Sequence, residues 1–313
     1  MWHLDILDTN KEKEYCDLLF EKVKEQKGNI SNNTVKNYLT DTKIKKILIS
    51  KPNDLYSKIN EYKSRLFCSE YDNWNRANQK QDRYRTREEK DIIIKYKDIV
   101  DTFDYDNFIR NKKNDAYKIA KLIGVNSCVY CNRQYIFTVD KENEHITRPE
   151  FDHYLPKSEY PFFALSLYNL IPSCHICNSN CKGTEKLDES MNPYRTDKDD
   201  YFTFTYHIDG KEFPASVQIK DKDKLDDKVK KLLDTFKIQE IYDAHTNLEL
   251  KDLYTFATKY SKTYLHQIMT DLKLSQEDAY RILFGTEMLP DKDNDRPLSK
   301  FKRDILRELK VIP

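Results

Sequence analysis

Apolar residues recur at helical spacing over the first third of the chain. In "KEYCDLLFEKVKEQ", Tyr15, Leu18, Leu19 and Val23 fall on one helical face. Gly28 and "NISNNT" close that segment. "REEKDIIIKYKDIVDTF" and "DAYKIAKLIGV" carry similar apolar stripes, each beside a charged face suited to water. The pattern predicts a helical arm over residues 1–122. Helical periodicity then fails over residues 123–200, where five of the seven cysteines gather. Next, "YFTFTYHIDGKEFPASVQI" alternates apolar and polar residues about Asp209-Gly210, which predicts a β-hairpin extension over 201–220 with a tight turn there. The helical pattern resumes over 221–313. Ser275 and Asp278 have the spacing of a capping box, and Leu298, Phe301, Ile305 and Leu309 make a last apolar stripe. The predicted class is α+β: a mostly helical chain with a small central module between two helical arms.

Composition narrows this only a little. The 313 residues suffice for two or three compact units. Charged residues make up 34% and there are five glycines, which favours a soluble, helix-rich protein. The 54 basic and 53 acidic residues cancel to +1, so net charge gives no argument for a nucleic-acid partner. No apolar run approaches the roughly 20 residues that span a bilayer, so no membrane partner is expected. The first residues, "MWHLDILDTNKEKEYCDLLF", do not read as a secretion signal. A cytoplasmic location is expected, with cysteines held as thiols or metal ligands.

Two C-x-x-C pairs carry the first chemical signal: Cys128-Val-Tyr-Cys131 and Cys174-His-Ile-Cys177. Each spacing lets two thiolates reach one ion from a tight knuckle, and two knuckles close a tetrahedral Cys₄ zinc site. One such pair alone has the spacing of a redox motif. Two in one helix-poor region favour structural zinc. His175 lies inside a knuckle and is poorly placed to bend back to the ion, and Cys181 is surplus to the set. Both are expected to be packing or surface residues, and Cys16 and Cys68 receive no role.

Between the pairs lie Asp152-His153 with Pro156, then Asn169-Leu170-Ile171-Pro172, and beyond the last cysteine Asn178 and Lys182-Gly183. This order resembles the HNH endonucleases, the ββα-metal nucleases built on a zinc-knuckle frame. More narrowly, "YPFFALSLYNLIPSCHICNSNCKG" and "RPLSKFKRDI" resemble HNH proteins of bacterial defence loci, the Septu-type pairs and retron-associated nucleases. The resemblance implies DNA cleavage leaving 5′-phosphate and 3′-hydroxyl ends, with RNA open as an alternative substrate. It also implies a protein partner, an ATPase in the paired systems. It casts Asn169 as the residue that orients the histidine and pins the two strands, and Asn178 as a metal ligand. Many members have two residues between the last asparagine and the lysine; this chain has three, which weakens the role of Lys182.

The chemistry asks for similar residues. Phosphodiester hydrolysis needs a base for water, a cation for developing charge, and a rigid frame. His153 has an ordinary pKa near neutrality and is the candidate base. Asp152 offers a hard oxygen for Mg²⁺ or Mn²⁺, and Asn178 a neutral one. Neighbours on a regular strand point to opposite faces, so Asp152 and His153 share a site only where the strand ends or twists. A short helix is expected from near Cys174, with Gly183 as its left-handed terminator. Lys182, Lys157 and Arg133 are candidate phosphate contacts.

Alone, each of these polar residues would be an ordinary solvent-facing side chain, a turn or strand-end residue, or a helix cap. Their joint placement on a zinc frame favours catalysis over the alternative, a zinc-framed binding or interaction module without activity. Residues 128–186 hold six Lys/Arg against seven Asp/Glu, so affinity for DNA has to come from the arms or a partner. The richest basic stretch, "NRANQKQDRYRTREEK", reads equally well as a solvated helix face.

Overall fold

The first helix, Thr9–Lys27, starts where Asp8 accepts hydrogen bonds from the amides of Asn10 and Lys11. That acceptor satisfies donors the first turn leaves unpaired. Tyr15, Leu19 and Val23 are fully buried and Leu18 partly so, as the stripe requires. The computed structural model describes residues 3–111, 113–141, 144–195, 201–210, 213–260 and 262–312.

Helices occupy the chain from Thr9 to Ile123. The isoleucine run departs from its predicted burial. The helix Arg87–Lys95 buries no residue fully, and Ile94 is exposed. The chain breaks at Tyr96 and restarts as Lys97–Thr102.

Among the described residues six short strands follow: β1 Val139–Lys141, β2 Glu144–Thr147, β3 Glu150–His153, β4 Leu170–Ser173, β5 Phe204–His207 and β6 Ser216–Ile219. They form three two-stranded antiparallel sheets, β1 with β2, β3 with β4, and β5 with β6. The mostly helical chain with small sheets is α+β, as expected. The connection between β5 and β6 is longer than the tight turn expected, because the strands end at His207 and resume at Ser216. Gly210 does take a positive φ of 80°. Residues 211 and 212 lie outside the described residues. Further helices run from Asp227 to Glu308. Ser275 caps one of them by accepting from the Asp278 amide at 3.1 Å and donating to its carboxylate at 2.6 Å.

One apolar cluster runs from Leu4 to Ile312 and includes the four central cysteines. Both arms therefore pack on the central strands. No helix among the described residues is long and apolar enough to cross a membrane.

What matters most for the centre is the loop between β3 and β4, residues 154–169. Phe162 and Phe163 are fully buried beneath it, each burial contributing about 1.5–3 kcal/mol. The N-terminal arm ties down its backbone. Tyr71 donates to Glu159 O at 2.5 Å, Asn78 to Ser158 O at 2.7 Å and Tyr15 to Leu165 O at 2.7 Å. In return Ser166 donates to Ile47 O at 2.6 Å. The C-terminal arm docks on the first cysteine knuckle instead. Asn132 adopts a positive φ of 48° at the knuckle tip. Its Nδ2 donates to Asp293 O at 2.6 Å, and its Oδ1 accepts from the Ser299 amide at 3.1 Å.

Candidate active site

The four expected thiols converge. The sulfurs of Cys128, Cys131, Cys174 and Cys177 all lie within 4.8 Å of one another, and all four residues are buried. A tetrahedron with Zn–S bonds of about 2.3 Å has edges of about 3.8 Å, so the set fits one zinc. Two sulfurs already accept backbone amides: Cys128 from Cys174 N at 3.2 Å and Cys131 from Arg133 N at 3.4 Å. Such bonds stabilise thiolates, the form a metal needs. Cys181 lies outside the set. His175 is exposed and pairs with Glu150 at 2.8 Å, facing away from the sulfurs.

The frame positions a helical turn. Ile176–Lys182 winds as a π-helical turn, and the Gly183 amide reaches back to Asn178 O at 2.9 Å. Gly183 has φ 50° and ψ −118°, so it leaves the turn with positive φ but not in the expected left-handed helical conformation. β3 runs against this turn. Its register pairs Glu150 with Ser173, Asp152 with Ile171 and His153 with Leu170.

β3 ends at His153, and its last two side chains separate. Asp152 is buried between Tyr130, whose hydroxyl donates at 2.5 Å, and Lys182, whose Nζ lies 3.1 Å away. Burial pushes the Asp152 carboxyl above its usual range, and Lys182 and Tyr130 oppose this only in part. His153 turns the other way. Its Nε2 donates to Ala164 O at 2.9 Å, and the Tyr105 ring stands edge-on 4.5 Å away. Burial pushes its pKa down to about 3, so the imidazole is neutral. With Nε2 donating, Nδ1 is left as the basic nitrogen.

Asn169 is fully buried and acts on the same loop. Its Oδ1 accepts from the Leu155 amide at 2.7 Å, and its Nδ2 donates to Leu155 O and Phe163 O, each at 3.0 Å. It therefore fixes the backbone just before Ala164, the partner of His153. The Asn178 amide nitrogen donates to Glu150 Oε2 at 2.8 Å, and its oxygen takes no part in that bond. Burial acts to raise Glu150, but bonds from Asn178 and His175 outweigh it and hold that carboxyl low.

A cleft of about 570 Å³ brings Asp152, His153, Lys157 and Asn178 together. Lys182 and Arg133, expected at phosphates, do not line it. Lys182 is buried against Asp152, and Arg133 follows the first knuckle. Further cleft residues escape a reading of the sequence, among them Glu150, Tyr105, Arg110 and Arg148. Glu150 had a signal, since alternation along a strand puts it on the face of Asp152 two residues on. Tyr105 and Arg110 come from the N-terminal arm, and no local pattern marks them.

Comparison with known proteins gives partial matches. The chain is 33% identical over 97 residues to Septu protein PtuB of Bacillus thuringiensis, covering 30% of this chain and 35% of that protein. It is 40% identical over 55 residues to protein ea31 of Escherichia phage lambda, covering 16% of this chain and 18% of that protein. The similarity thus spans about a third of the first relative and less of the second. No family model and no solved structure matches.

Proposed function

We propose that this chain is a metal-dependent HNH endonuclease that hydrolyses DNA phosphodiester bonds. The observation that carries the reading is His153, an imidazole at the end of β3, held through Nε2 and lining a cleft beside Asp152 and Asn178. His153 takes a proton from the attacking water at Nδ1. Asp152 and the Asn178 oxygen would hold Mg²⁺ or Mn²⁺ once Lys182 and the Tyr130 hydroxyl release the Asp152 oxygens they occupy, a pair of hard oxygens then suited to either ion. That ion supplies positive charge against the scissile phosphate. The zinc frame, through the turn Ile176–Lys182, keeps Asn178 opposite β3. The alternative, a non-catalytic zinc-framed module, has no use for an imidazole held in one orientation at a cleft.

The chain is further proposed to be a cytoplasmic nuclease effector of an anti-phage defence system, working with a partner ATPase. The similarity to a Septu protein supports this. The shorter similarity, to a phage protein, supports no role in defence. Incubating the purified chain with plasmid DNA and Mg²⁺ or Mn²⁺, beside a His153→Ala control, tests the catalytic reading. No metal-dependent cutting, with or without a co-purified partner, would refute it.

A further inference from the structure

We infer that the N-terminal arm forms one wall of the cleft and supplies its phosphate-binding site, with Arg110 and Arg148 holding a DNA backbone. This rests on the nuclease reading and names the groups that hold its substrate. Sequence alone leaves that question open, because the central module is not basic and two of its three candidate cations do not line the cleft.

The geometry begins at the π-helical turn Asp106–Arg110, which lines the cleft through Tyr105, Asp106 and Arg110. Asp106 holds two cations there. Its Oδ2 accepts from Lys157 Nζ at 2.5 Å, and its Oδ1 lies 3.5 Å from Arg110 Nη1. The Lys157 ammonium also sits over the Tyr105 ring, 5.1 Å from its centre. Lys157 is thus largely occupied within the protein. Arg110 is mostly exposed and held by one long contact, so its guanidinium keeps donors to spare. On the module side Arg148 donates to Pro149 O at 2.7 Å and lies over the Phe151 ring. One bond to a carbonyl leaves most of its fork for a phosphate.

The charge balance favours an anion. Asp152 is neutralised by the buried Lys182, so Arg110, Arg148 and Lys157 face only Asp106 and Glu150 across the cleft. The remaining positive charge attracts a polyanion. The basic stretch 76–90 does not serve in this way. Lys80 pairs with Glu89, Lys90 with Asp82, and Arg85 with Asp82 and Ala77 O. None of its residues lines the cleft.

The test measures binding apart from cleavage. In a His153→Ala background, a fluorescent DNA duplex is titrated with full-length protein and Mg²⁺ at salt concentrations from about 50 to about 200 mM. Removing one cation from a phosphate lowers the slope of log affinity against log salt by about 0.9. Arg110→Ala and Arg148→Ala should each show that decrease. Arg110→Lys should keep the slope, which separates charge from structure. Lys292→Ala, on the other arm and paired with Glu277, should leave it unchanged. Zinc content and melting temperature show whether each variant folds. Unchanged slopes in both alanine variants, or no measurable binding by the parent, overturn the inference. Wild-type cutting with unchanged slopes sinks this site alone. Lowered slopes without any wild-type cutting keep the site and sink the catalytic reading.

Discussion

Lys182 Nζ lies 3.1 Å from Asp152 Oδ2, and both side chains are almost wholly withdrawn from water. The ammonium also donates to His153 O at 2.9 Å, so it ties the end of β3 to the π-helical turn. A pair this deep costs solvation on both sides, and breaking it leaves one charge uncompensated.

Lys182→Met should therefore destabilise the fold by about 3–5 kcal/mol. Adding Asp152→Asn should recover much of that, because the stranded carboxylate is gone. Urea unfolding of both singles and the double closes the cycle. Simple additivity of the two changes would show that the pair does not act as a unit.

One zinc per chain is expected, held by Cys128, Cys131, Cys174 and Cys177. Elemental analysis of protein purified without added metal should find about one zinc. Cys177→Ser or a strong chelator should unfold the centre, since binding energy at such sites is folding energy. Cys181→Ser should be nearly silent. A folded protein free of zinc would show that the centre holds its shape without the metal.

The same residues show what a sequence makes legible. The cysteine set is readable because metal geometry imposes a spacing on neighbours in the chain. Asn169 is readable as part of a motif, yet its three bonds go to the loop after β3 rather than across the two strands. The place of Lys182 is not, because burial beside Asp152 depends on how a turn meets a strand, which spacing does not encode. Tyr105 stands against His153 across 48 positions of sequence, and nothing in "DTFDYDNFIR" announces it. The isoleucine run misleads in part: Ile92 and Ile93 pack partly buried against the core while Ile94 is exposed.

His153→Ala should lower plasmid cleavage by at least about a hundredfold with zinc unchanged, and should lower stability less than a change at Asn169 because one bond, to Ala164 O, is lost. Asn169→Ala should differ. It strips a buried acceptor from the Leu155 amide and two donors from carbonyls, each worth about 1–3 kcal/mol when left unpaired. Its activity loss should therefore come with lower stability. Calorimetry beside the cleavage assay separates the two. A His153→Ala enzyme that cuts at near wild-type rate refutes the base.

Asn178 and Asp152 should set the requirement for Mg²⁺ while leaving zinc untouched. Mg²⁺ keeps several waters and takes few protein ligands, so one carboxylate and one amide oxygen suffice but bind weakly. The bond from the Asn178 amide nitrogen to Glu150 Oε2 at 2.8 Å fixes which end of the amide faces that carboxylate and so orients its oxygen. Asn178→Ala should raise the Mg²⁺ concentration for half-maximal cleavage or abolish cutting. Glu150→Ala should move the same parameter in the same direction, since the amide is then free to flip. Glu150→Gln retains an acceptor oxygen and should move it less. Asn178→His should shift preference toward Mn²⁺, because imidazole is a softer ligand. Cleavage rate against metal concentration, with zinc quantified in every sample, reads all of these. Asn178→Ala with an unchanged Mg²⁺ requirement, or with its zinc lost, would place the reactive ion on other residues.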